Sequence, residues 1–421
     1  VEERLVAKQQ VTGRMDRLLH GRSSRRDLAV VTLVATTASL PAFLVAALAV
    51  QVRSSLHFGA SAQGVTLAVY YLGAAVVSVP GSRLAEHFGA LRVMKAVAAA
   101  DVVLLALIGG AARSWGLLTV LLALAGMASS IVQPAANQFI SRQVPTDRQG
   151  LAFGIKQSAI PLSSLLGGLA VPAIGVTIGW QWAFGLAAVV ALSASLAVPR
   201  PTTTLAARRA SMVRQASSRP MLPLVVLTVG FGLGICAASG VSAFLATASV
   251  ASGLSKADAG LVVALASAAA LVSRVLTGVQ ADRRGRGHFR VVAVMLAVGA
   301  VADGLLALGA GGHAAGLFVV ASAFAFGAGW GWNGLFNFAV VRTHPELPAR
   351  ATGISQVGGR LGGVLGPLVV GLVVEHGSYS LAFGVVAGLA GLGALTVLAG
   401  RELLVHSRVA MEMRAHEAGP K

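Results

Sequence analysis

Twelve apolar runs of about twenty residues each, separated by short polar stretches, limit this chain to very few architectures. They fall at roughly 28–52, 60–82, 91–111, 115–140, 151–175 and 180–198. The second set is at 221–248, 259–280, 288–311, 314–341, 351–374 and 379–399. At about 1.5 Å per residue, a helix of that length crosses the hydrocarbon of a bilayer. Within lipid a helix pairs its own backbone groups, so it needs no polar face. The composition agrees: 56% of residues are hydrophobic and 11% charged, too few charges for the surface of a soluble chain this size. Fifty-one glycines would weaken soluble helices, whereas between membrane helices they let backbones approach closely. The expected fold is an all-α membrane protein with twelve transmembrane helices.

A net charge of +18 raises the question of a nucleic-acid partner, and the placement of the charge answers it. Arg53, Arg113 and Lys256 fall in loops on one side, and Lys156, Arg274 and Arg360 lie inside spans. The other 27 of the 33 lysines and arginines lie on the opposite side. That is the positive-inside pattern, which puts both termini in the cytoplasm of what reads as a bacterial cell and leaves nucleic acid unnecessary. The single cysteine, Cys236, sits inside a span and allows no intrachain disulfide. Eight of the nine histidines fall outside the spans and the ninth, His288, only begins one, so no metal centre at depth and no cofactor is expected.

The chain divides into a tail at 1–27, a half at 28–198, a linker at 199–220, a second half at 221–399 and a tail at 400–421. The linker has prolines near both ends, five arginines and no acid. The halves repeat. Gln133, Asn137 and Arg142 echo Asn333, Asn337 and Arg342, each 200 residues on. Gly154 and Gln157 echo Gly353 and Gln356, and Ala183-Phe184-Gly185 echoes Ala382-Phe383-Gly384, each 199 on. Parallel duplication of this kind gives two pseudo-symmetric six-helix halves.

The turn after the eighth run reads Gly278-Val-Gln-Ala-Asp282-Arg283-Arg-Gly285-Arg286, with a fainter copy at Ser82-Arg-Leu-Ala-Glu86-His-Phe-Gly89. In each copy an acid is followed three residues later by a glycine, among basic neighbours. This resembles the loop signature of the major facilitator superfamily. The resemblance covers about residues 28–400 and implies alternating access around a cavity lined by the first, fourth, seventh and tenth helices. It also implies gating roles for Glu86, Gly89, Gly278, Asp282, Arg283 and Gly285. The first copy departs from the pattern, with Ser82 for the leading glycine and no base directly after Gly89.

Three cations break the repeat, because Arg274, Arg360 and Lys156 match Ser78, Pro161 and Ser355 in the other half. Arg360 sits nine residues into its run, about 14 Å deep. A charge near the midplane costs at least about 3 kcal/mol without a partner, and no acid lies within the runs of the lining helices or of the second, fifth, eighth and eleventh. A guanidinium matches a carboxylate in bidentate geometry, so an anionic substrate is the expected partner. Arg274-x-x-x-Gly278 resembles the eighth helix of monocarboxylate transporters, and cations on the eighth and eleventh helices resemble the oxalate:formate arrangement. The competing reading sends Arg274 down to Asp282. Lys156, five residues into its run, either joins the site or reaches the surface.

Gln133 and Asn137, like Asn333 and Asn337, share a helical face and either flank the cavity or tie helices together. Gln157, Gln356, Tyr70 and Trp330 complete the candidate substrate site, with Trp330 and Trp332 alternatively packing residues. Asp101 and Asp303, inside the third and ninth runs, are proton-coupling candidates or structural. The function expected is secondary transport of a small organic anion, a carboxylate, by proton symport or anion exchange, the protein acting as a monomer in the bilayer. The alternative is a proton-coupled drug or metabolite efflux antiporter of the same fold. It is disfavoured by the missing acid in the first run and by a positive site.

Overall fold

The computed structural model describes residues 26–144, 149–199, 221–283, 287–310, 314–344 and 348–417, and these are almost wholly helical. The helices are α1 (Arg26–Ala47), α2 (Ala49–Leu56), α3 (Ala60–Phe88), α4 (Ala90–Ala111), α5 (Trp115–Gln143), α6 (Gln149–Gln157), α7 (Ala159–Ala170) and α8 (Trp180–Ala197). After the linker come α9 (Leu222–Ala251), α10 (Lys256–Arg283), α11 (His288–Gly309), α12 (Ala315–Gly327), α13 (Asn333–Thr343), α14 (Pro348–His376) and α15 (Tyr379–Glu417). Ten helical segments are long and apolar enough to cross a membrane, and α12 is a shorter apolar helix. With α1 and α2 forming one span, α6 and α7 another and α12 and α13 a third, the arrangement is consistent with twelve spans. Most of the N-terminal tail and the linker lie outside the described residues, as does Gly285.

Two spans are broken, each for a local reason. Between α6 and α7, Pro161 lies four residues after Gln157 and has no N–H to give to the Gln157 carbonyl. The same span ends in a π-helical turn at Val171–Gly175. Between α12 and α13, residues 328–332 form turns rich in glycine. Both breaks leave backbone carbonyls free for other donors.

The turn glycines repeat as well. Gly89 joins α3 directly to α4 at φ 86°, and Gly287 precedes α11 at the same angle. Gly89 has nothing within 4 Å of where a Cβ would stand, so its glycine serves the backbone conformation. In the second half Gly287 takes this conformation.

The strongest packing is of α14 and α15 on α9, α3 on α5 and α11 on α15, and α4 on α8 in the first half matches α11 on α15 in the second. On α14, Gly358, Gly362 and Gly366 form a small-residue stripe. A Cβ on any of them would strike a backbone carbonyl of α9, at Thr228, Gly232 and Cys236 in turn. Cys236 is buried there and contributes its backbone.

The two halves meet along two antiparallel seams, α3 with α14 and α7 with α10. The end of the bundle where α3 finishes and α4 begins is called the tail face, and the opposite end the far face. Towards the far face the seams are tight. Gly64 stands against the Pro367 carbonyl, and a Cβ on Gly371 would be 2.9 Å from the Ala60 carbonyl. One on Gly168 would be 2.7 Å from the Gly260 carbonyl. Ser267 Oγ donates to Ser164 Oγ at 2.7 Å in the second seam.

Gly362→Leu should therefore destabilise the protein by about 1–3 kcal/mol or more, since a backbone carbonyl cannot yield as a side chain can. Gly384→Ala, where nothing lies within 4 Å, should leave the melting temperature in detergent nearly unchanged.

Candidate functional site

Arg274 lies on α10 in the second seam, is only 6% exposed, and carries its charge among neutral groups. Its Nη1 donates to the Gln157 carbonyl at 2.7 Å, the one that Pro161 leaves unpaired. Its Nη2 donates to the Trp330 carbonyl at 3.3 Å, within the break between α12 and α13. The guanidinium carbon stands 5.4 Å from the centre of the Trp330 ring, and Nε has no hydrogen-bond partner. Each carbonyl places the negative end of a dipole against the cation, and the indole face adds a cation–π contact. Arg274 thus points across the seam to the helix breaks. Asp282 and Arg283 end α10, and their side chains, like Gly285, lie outside the described residues.

Arg360 does the same in the first seam. Its Nη1 donates to the Ala74 carbonyl of α3 at 2.8 Å. Each seam thus holds one guanidinium from the second half on a backbone carbonyl of the first. No ion pair to either arginine, or to Lys156, is found among the described residues.

Lys156 is 3% exposed, so it does not reach the surface. Its Nζ donates to Asn137 Oδ1 at 3.1 Å and approaches Gln157 Oε1 at 3.5 Å. In the other half Gln356 Nε2 donates to Asn337 Oδ1 at 2.9 Å, and Asn337 in turn donates to Asn333. The amine of Lys156 therefore occupies the place of the Gln356 amide. At the 199-residue offset Lys156 still aligns with Ser355 and Gln157 with Gln356; what Lys156 shares with Gln356 is the donor role towards the asparagine. The amides tie helices together within each half, as one of the two readings held, and Gln133 sits half-buried on the same helix as Asn137.

Trp330 lies against Arg274, and Trp332 packs elsewhere. Trp330 also meets Phe43 of α1 at 5.6 Å between ring centres. Trp332 is wholly buried against Phe231 and Phe336. Tyr70 is buried inside the first half with its hydroxyl 3.5 Å from the Ala38 carbonyl. Its neighbour Tyr71 lines a small central space with Phe43, Leu67, Ser239, Ser242 and Ala243. Sequence reading missed Phe43, Tyr71, Ser239 and Ser242, because helices apolar on every side give no periodicity to mark the inward face.

Asp101 is completely buried in α4, and neither carboxylate oxygen has a hydrogen-bond partner. Asp303 is buried in α11. Both lie away from the arginines, on spans that pack mainly within their own halves. Glu86 is exposed at the tail end of α3, beside a shallow concavity lined by Pro80, Arg83 and His87. Gly278 is exposed on α10 with open space around it. Among the described residues no group of His, Cys, Asp and Glu is arranged to hold a metal ion.

The Major Facilitator Superfamily profile matches residues 29–362. The chain belongs to that superfamily. It is therefore a multi-pass membrane transporter, and the superfamily's transporters are not in general enzymes. The sequence is similar to an uncharacterized MFS-type transporter, YddS, of Bacillus subtilis, with 32% identity over 126 residues. That stretch is 30% of this chain and spans 28% of the relative's length. The fold resembles crystal structures of a bacterial homolog of the human lysosomal transporter Spinster. The inward-facing, occupied form gives a TM-score of 0.63 at 14% identity, over 90% of this chain and 96% of that one. The inward-facing, unoccupied form also gives 0.63, at 15% identity, over 91% and 95%.

Lys156→Gln should copy the other half's solution, keeping a donor to Asn137 while removing the charge, and should leave thermal stability nearly unchanged. Asn137→Leu should lower it by about 1–3 kcal/mol, because a buried ammonium loses an acceptor. Thermal unfolding of the purified variants in detergent separates the two.

Proposed function

We propose that this transporter moves a small organic anion, with a carboxylate as the recognised group, across the cytoplasmic membrane by alternating access. One observation carries the reading: Arg274 is buried at the broken helices and held only by neutral carbonyls and an indole face. A carboxylate is a stronger acceptor than an amide carbonyl, and a guanidinium meets it with two parallel N–H bonds. Nε of Arg274 has no partner to lose. An arriving carboxylate engages it together with one Nη and competes with Gln157 or Trp330 for the other.

That competition links binding to movement. The Gln157 carbonyl lies in the first half and Arg274 in the second, so their bond also ties the halves together. Arg360 and the Ala74 carbonyl form the matching tie in the other seam. A substrate that takes over these donors removes two cross-half contacts and lowers the barrier to rocking. A ligand shifts such an equilibrium only by its different affinity for the two states, and exchanging carbonyl for carboxylate supplies that difference. The tail face carries most of the lysines and arginines, which makes it cytoplasmic. The tight approaches near the far face then correspond to an inward-facing state.

Proton symport and anion exchange both fit this site. Asp101 and Asp303 are the carboxyl groups on which symport would draw. Uptake into proteoliposomes over a carboxylate panel, with and without a pH gradient, tests the proposal. Arg274→Ala and Arg360→Ala should each reduce carboxylate uptake at least about tenfold, the loss of a charge-assisted pair, with the protein still folded. Unchanged uptake in both variants excludes the anion site. Drug-dependent proton release in place of carboxylate uptake identifies the efflux antiporter.

A further inference from the structure

Helix α3 begins with four backbone N–H groups that no residue of the helix can accept from, as every helix does. Its N-cap residue is Gly59, which has no side chain to supply an acceptor. The equivalent helix of the second half, α10, solves this locally: Ser255 Oγ accepts from the Asp258 N–H at 3.1 Å. In α3 the acceptor comes from the other half of the molecule. Glu375, in the last turn of α14, places Oε2 2.6 Å from the Ala60 nitrogen and 3.1 Å from that of Ser61. A Cβ on Gly59 would lie 2.7 Å from Glu375 Oε1, so the glycine makes the room that the carboxylate uses. A negative group at a helix N-terminus also gains from the helix dipole.

The contact sits in a continuous cross-half seal at the far face. Ser61 Oγ lies 3.5 Å from the Gly371 carbonyl. One turn on, the wholly buried Gln63 donates to the Ala243 carbonyl of α9 at 2.7 Å. Arg53, at the end of the first span, donates to Gln63 Oε1 at 3.5 Å and to the Phe58 carbonyl at 3.4 Å. Among these contacts the Glu375 carboxylate is the one charged group of the second half that caps a helix of the first. If the far face opens, α3 and α14 separate there, and α3 loses its only side-chain cap.

We propose that Glu375 is the latch of the far-face gate: it caps α3 across the seam, and its release is part of the cost of opening to the far side. The duplicated scaffold has a local cap on one helix and a borrowed cap on its counterpart, so only this seam carries the bias. The latch holds the resting protein closed on the far face whatever substrate it carries.

Spin labels on Ser55 and Lys256, two exposed far-face residues from opposite halves, would report the gap by double electron–electron resonance. A second pair on His87 and Arg290 would report the tail face, all in a Cys236→Ser background with reconstituted protein. Glu375→Ala should raise the ratio of far-open to far-closed molecules by about tenfold, the scale of losing an N-cap, while the tail-face distance shortens. Gly59→Ser, which gives α3 a cap of its own and crowds the carboxylate, should shift both distances the same way. Distributions in both variants that match the native protein would overturn the latch. Should the alanine variant lengthen both pairs, as an unfolded chain would, Gly59→Ser decides by the same two distances. No substrate is needed, so the outcome is independent of whether the cargo is an anion.

Discussion

The site depends on a positive charge held by dipoles instead of by an acid. Burying a guanidinium in a membrane protein without a carboxylate requires carbonyls that the helices themselves do not use. Pro161 supplies one at Gln157, and the glycine-rich break before α13 supplies another at Trp330. Either break alone would leave the charge with a single acceptor. The cost of interrupting two spans is offset at the same place, where their free carbonyls surround Arg274.

Close backbone approach determines how far this arrangement can move. The stripe at Gly358, Gly362 and Gly366 locks α14 to α9, so those two helices travel as one body. The seams between halves are tight only towards the far face, where Gly64 and Gly371, with Gly168 and Gly260, let helices touch. At the level of Arg274 and Arg360 the halves are joined by side chains reaching to carbonyls. A hydrogen bond of that kind exchanges its acceptor more readily than packed glycines separate. Binding chemistry is therefore placed on the part of each seam most able to respond to it.

Much of the fold was legible in the sequence because lipid imposes a length and a composition on every span. The repeat was legible too, through amides and glycines at nearly constant offsets. Spacing pairs Lys156 with Ser355, but it does not show that Lys156 donates to Asn137 as Gln356 does to Asn337. Tyr70 and Tyr71 show the same limit. Adjacent residues on a helix point about 100° apart, and with apolar side chains on all sides nothing in the sequence says which one faces the cavity. The sequence reads as one unbroken run through Pro161, and nothing in it says which cation takes the carbonyl freed at Gln157, because Arg274 is 117 residues away in the chain.

Helix α14 joins these observations. It carries Arg360 and, fifteen residues later, Glu375, about 22 Å apart along the axis. Against the antiparallel α3, the cation meets a carbonyl at mid-span and the anion meets amides at the N-terminus. Each charge is thus paired with the backbone dipole of opposite sign that α3 presents at that depth. Reversing either charge would set it against the dipole it now faces. The seam consequently has a fixed register, and a rocking motion that frees one end of α14 from α3 changes the leverage on the other. An anion that draws Arg360 from Ala74 acts on the same helix that holds the far-face cap, and so the seam connects the middle of the membrane to its far surface.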